Sequence, residues 1–117
     1  MPAPADLTRD QFARWWRETG ERELSQVLFW RWDPIGVSAE FPSTADEYDS
    51  YGPGVVALLR AGASADDVAD HLGFVERETM GLAMDDPERR AAVAQLLAAW
   101  FDNSVDTWQR SGADGSA

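Results

Sequence analysis

The chain contains no cysteine and no lysine, and it has a single histidine. Without cysteine there is no disulfide, no thiolate metal site and no thiol nucleophile. Without lysine there is neither Schiff-base chemistry nor a phosphate-gripping lysine of the P-loop kind. No apolar run approaches the roughly 20 residues that cross a bilayer as a helix. The opening Met1-Pro2-Ala3-Pro4-Ala5-Asp6 has neither the basic nor the apolar region of a signal peptide, so a cytoplasmic protein is the expectation. No G-x-S-x-G elbow, Walker loop, H-E-x-x-H or dinucleotide fingerprint occurs. No segment alternates at period two, so no strand is predicted.

What is abundant is acid. The net charge is −11 over 117 residues, a length that predicts one domain with a core of its own. The charge is unevenly spread. Residues 1–32 hold five acids and five arginines, whereas residues 33–86 hold twelve acids against Arg60 and Arg77, a net of −10. Residues 87–117 return to a net of −1. Such a field repels nucleic-acid phosphates and anionic membranes and attracts cationic partners; it also simply keeps a protein soluble.

Helical punctuation is plentiful. Thr8 and Gln11 form a capping box, and Phe12, Trp15, Trp16 and Thr19 recur at helical spacing after it. Gly20 predicts a kink or short break, and Leu24, Val27, Leu28 and Arg31 continue the stripe, widened by Phe29, Trp30 and Trp32. Residues 9–31 therefore read as one kinked helix or two in succession, ended at Asp33-Pro34. Thr44 and Glu47 make a second capping box. It predicts a kinked helix over 45–61, with a turn followed by a helix from Pro53 as the alternative. Gly62 is placed as its C-cap. Ser64 and Asp67 open a helix over 65–80, and Asp86-Pro87 opens a last one carrying Val93, Leu97, Trp100, Ser104 and Trp108. Residues 1–6 and 111–117 are expected to fray, leaving about 7–110 ordered. The prediction is all-α: an irregular bundle of four to five helices in a single domain, joined by short loops, with no sheet.

Candidate chemistry is thin. Val68-Ala69 and Leu72-Gly73-Phe74 imitate half of a helix-turn-helix, but Glu76 and Glu78 would face phosphate, so nucleic acid is not expected as a partner. Asp67, Asp70 and His71 crowd five residues of one helix. They are weak metal candidates, since no zinc set or EF-hand spacing accompanies them, and neither a metal nor a cofactor is expected. Asp46, Glu47 and Asp49 beside Tyr48 and Tyr51 fit a recognition patch, acids selecting a basic partner and tyrosines giving apolar contact. Trp32 joins them as an anchor at the helix end.

Trp32-Asp33-Pro34-Ile35-Gly36-Val37 followed by Asp46-Glu47-Tyr48-Asp49-Ser50 resembles the YugE-like domain, a small bacterial family of helical proteins of unknown function. The likeness covers roughly residues 24–82, including Met80-Gly81-Leu82. It does not extend to the Trp-rich first helix or to the last helix and its tail. It implies an all-helical fold and supplies no activity. The sequence points to a small acidic protein-binding module of unspecified function, one form of which is an immunity-type inhibitor of a basic bacterial toxin or of another cationic protein. A carboxylate-based enzyme or metal protein and a structural homodimer are the alternatives. Residues 30–51 read as a structural corner first and a binding surface second.

Overall fold

The computed structural model describes residues 7–83 and 85–112. Its first helix, α1, starts where the Thr8–Gln11 pair predicts. The Thr8 hydroxyl accepts from the Gln11 amide at 3.1 Å while the Gln11 side chain accepts from the Thr8 amide at 2.9 Å. α1 is continuous over residues 9–32 but is not α-helical throughout. The α turns Arg9–Trp15 and Glu21–Val27 alternate with π turns at Trp16–Gly20 and Leu28–Trp32. A π turn takes in one extra residue and re-phases the face that follows. Trp15, Leu24, Leu28, Phe29 and Trp32 are thereby all buried, although their spacing fits no single α-helical stripe.

Of the kink or short break expected at Gly20, the break does not occur; the helix runs through this position in a π turn. Gly20 is buried, and a Cβ there would lie 2.7–2.9 Å from the Trp15 ring. The glycine clears room for an indole.

Asp33 ends α1 by entering the left-handed region, φ 36° and ψ 56°. The predicted helix from 45 is absent: residues 41–48 form consecutive turns, and a 3₁₀ turn over Asp49–Tyr51 leads into α2, Gly52–Arg60. Thr44 does not cap a helix; its hydroxyl donates to the Val37 carbonyl at 2.7 Å. Pro53 sits in the first turn of α2, the one place in a helix where its missing N–H is harmless. Gly62, at φ 85°, ends α2 in a Schellman arrangement. Its amide donates to Leu59, and that of Ala63 donates to Leu58.

α3 runs over Ala65–Phe74 and closes in a π turn at Val75–Thr79, with both bonds of the Ser64–Asp67 capping box formed. It passes straight through Leu72-Gly73-Phe74, so the imitation of a helix-turn-helix has no turn. α4, Pro87–Arg110, is capped by Asp86, whose carboxylate accepts from the Arg89 amide at 3.1 Å.

The four helices form an up-down-up-down bundle. Trp108 bonds to Glu18, Trp100 to Glu23 and Arg89 to the Arg31 carbonyl, so α4 descends beside α1 along its length. Gly52 of α2 lies against Leu24 and Trp16, and Arg60 lies over Phe12, so α2 is also antiparallel to α1. Gly54 meets His71 of α3, and Gly73 meets Arg90 of α4, which closes the ring. Among the described residues there is no strand, and no helix is long and apolar enough to cross a membrane. The tail placed at 111–117 begins with a described turn, where the Ser111 hydroxyl donates to the Trp108 carbonyl. Residues 113–117 and 1–6 lie outside the described residues.

Gly20→Ala tests the clearance. On propensity alone the change should stabilise a helix by about 1 kcal/mol, whereas overpacking against a rigid buried ring costs about 1–3 kcal/mol. We expect net destabilisation in urea unfolding, with the near-UV tryptophan signal altered.

Candidate functional site

The corner after α1 is built on a single carboxylate. Asp33, 8% exposed, accepts from the Tyr48 hydroxyl at 2.7 Å and from the Val37 amide at 2.9 Å. The same tyrosine oxygen receives the Ile35 amide at 3.3 Å. These bonds hold a non-glycine residue at positive φ, a conformation that Asp tolerates better than most. Burial first, then donation to Asp33, pushes the Tyr48 hydroxyl well above the usual tyrosine range. Beneath the corner, Trp32 donates to Glu76 at 2.9 Å, and Arg90 bridges Glu76 and Asp85. Glu76, which a helix-turn-helix would turn toward phosphate, is buried because an indole and a guanidinium meet it there.

This knot changes the membership of the predicted patch. Trp32 and Tyr48 are 2% and 1% exposed, their rings 5.4 Å apart, and neither offers surface to a partner. Tyr51 is half-buried, edge-on to Trp32. Asp46, Glu47 and Asp49 are exposed as predicted. Asp67 is held by the Ser64 cap, Asp70 faces solvent, and His71 is half-buried against α2. Among the described residues no three His, Asp or Glu side chains converge to hold a metal ion.

The aromatic surface lies one step away. Trp30 and Phe41 are 51% and 54% exposed, with ring centroids 5.2 Å apart. Both rest on buried Phe29, at 4.7 and 5.9 Å. They line a groove of about 570 Å³ between α1 and the loop that precedes α2, whose wall also includes Trp16, Leu24, Ser25 and Asp49. A 2.5 Å hydrogen bond from the Ser25 hydroxyl to Asp49 ties loop to helix across it. The lining carries Arg17 and Arg22 against Glu21 and Asp49, and is balanced in charge; exposed Glu40, Asp46 and Glu47 stand on the same loop but are not among its lining residues.

The spacing held a signal for choosing Trp30 over Trp32. Leu24, Leu28 and Trp32 form one i, i+4 row, whereas Trp30 falls off it. For Phe41, in a loop beside Pro42, no periodicity was there to read.

No family model, curated protein or solved structure matches this chain. The geometry alone carries the functional reading.

Tyr48→Phe removes a donor to a buried carboxylate and an acceptor from the Ile35 amide. It should cost about 1.5–3 kcal/mol in urea unfolding. The wild type should also lose stability as pH rises above 10.0, the ordinary tyrosine value, because the unfolded chain then releases a proton that the folded state retains. Stability curves against pH for the two proteins should therefore converge at the alkaline end.

Proposed function

We propose that this protein is a non-enzymatic binding module that engages a basic protein partner through Trp30 and Phe41. Inhibition of a cationic protein, as small acidic immunity proteins inhibit toxins encoded beside them, is the form of that role its charge fits. The observation that carries the reading is the exposed Trp30–Phe41 pair, two tilted rings in contact on a buried phenylalanine, lining a groove beside a loop that carries exposed Glu40, Asp46 and Glu47. Aromatic side chains already fixed by packing lose little freedom on binding, and such residues dominate interface energetics. Glu40, Asp46 and Glu47 would speed association with a cation and reject acidic competitors.

Two further features support it. The Trp30 indole N–H has no partner within the described chain, whereas four of the six indoles do. The Asp33–Tyr48 bond joins the two stretches that resemble the YugE-like motifs, so in this reading the motifs present the loop and the aromatic pair makes the contact.

Random peptides displayed on phage and selected on the immobilised protein at low salt provide the test. Enriched sequences should carry arginine or lysine next to an apolar anchor, and their on-rates should fall as salt rises. Trp30→Ala and Phe41→Ala should each weaken the selected peptides at least tenfold, with little change in folding stability because both rings are half in solvent. Enrichment of neutral or acidic peptides, or indifference to both substitutions, would overturn the reading.

A further inference from the structure

A second groove lies on the other side of Trp16, between α1 and α2, with a volume of about 430 Å³. Its lining is Phe12, Trp16, Pro53, Val56, Ala57 and Ala61, with one charged side chain, Arg60. Among the described residues no carboxylate lines it. We propose that this groove binds small amphipathic monocarboxylates, the apolar body lying against Trp16 and Val56 and the carboxylate held by the Arg60 guanidinium.

Charge complementarity carries the inference. The half-buried arginines of this chain are Arg14, Arg60 and Arg90. Arg14 pairs with Glu18, and Arg90 with Glu76 and Asp85. Arg60 alone among them has no carboxylate within ion-pair distance in the described residues. Its guanidinium lies over the Phe12 ring, 4.4 Å from the centroid, and makes one long hydrogen bond, 3.4 Å to the Leu7 carbonyl. Among the described residues most of the donor fork is therefore uncommitted, held in position by stacking, at the edge of an apolar surface. A planar carboxylate matches that fork with two parallel hydrogen bonds.

The overall charge of −11 does not forbid an anion there. α2, Gly-Pro-Gly-Val-Val-Ala-Leu-Leu-Arg, contains no acid, and residues 1–32 are charge-balanced. The acids concentrated elsewhere are screened over about 8 Å at physiological ionic strength. The proposal is independent of the protein-binding reading, which uses the opposite side of Trp16.

Octanoate and octanol make a matched pair of probes, with the same apolar chain and the charge on only one of them. Titrated into the ¹⁵N-labelled full chain, octanoate should shift the Trp16 indole and the Ala57 and Ala61 amides. It should bind at least tenfold more tightly than octanol. Arg60→Gln should bring octanoate down to the affinity of octanol and leave octanol unchanged, and Arg60→Lys should retain part of the preference. Ala57→Phe, at an exposed position, should abolish binding of both by filling the groove, and it serves as the readout if Arg60→Gln does not fold. Equal binding of the two probes, an unchanged octanoate affinity in Arg60→Gln, or no shift at millimolar octanoate would overturn the proposal. So would concentration-dependent shifts of the same signals without ligand, which would give the groove to a second copy of the chain.

Discussion

A buried indole must find an acceptor for its N–H, and that requirement organises this molecule. Trp15 donates to the Ser104 hydroxyl, which in turn donates to Glu23, and Glu23 also receives the Trp100 indole. Trp108 reaches Glu18 and Trp32 reaches Glu76. Each of these bonds crosses between helices. Together they set how far along α1 the last helix lies, and they fasten the end of α1 to the end of α3. Apolar packing alone would tolerate a slip of one turn between two long helices; an indole with a single acceptor in reach does not.

The same requirement sorts the acids. In the densely acidic middle of the chain, Asp33 and Glu76 are buried and hydrogen-bonded, and Asp85 meets Arg90. Those carboxylates are framework. Glu40, Asp46 and Glu47 have no such duty and stand exposed on one loop. A net of −10 over residues 33–86 is therefore an uneven surface field, whose acting part is smaller than the count implies.

Much of the fold was legible because capping is local chemistry. The boxes at Thr8 and Ser64, the stop at Asp33-Pro34, the Gly62 turn and the Asp86-Pro87 start each depend on residues within one turn of one another. What escaped depends on partners far along the chain. Thr44 and Glu47 have the spacing of a cap, yet the Thr44 hydroxyl is taken by Val37 and the segment winds as turns. Gly20 looks like a helix breaker until the Trp15 ring is seen above it. Glu76 looks solvated until Trp32, 44 residues away, is placed against it. For the candidate site, the acidic loop was visible in the sequence, whereas the burial of Trp32 and Tyr48 beside it was not read there. The π turns that re-phase α1 leave no mark in composition.

The position of both grooves follows from a mismatch in length. α4 has 24 residues, about 36 Å of helix, and pairs with α1 along that length, whereas α2 has nine, about 13 Å. So short a helix cannot cover the side of α1 turned away from α4. The loop over residues 33–51 folds back across part of the remainder and brings Phe41 to Trp30, and an open seam is left on each side of Trp16. Trp16 and Trp30 are the two tryptophans whose indole N–H finds no acceptor within the described chain, and both line that side. Had α2 been long enough to complete the bundle, both rings would need internal acceptors as the other four do. In the proposed reading both are left for partners outside the fold.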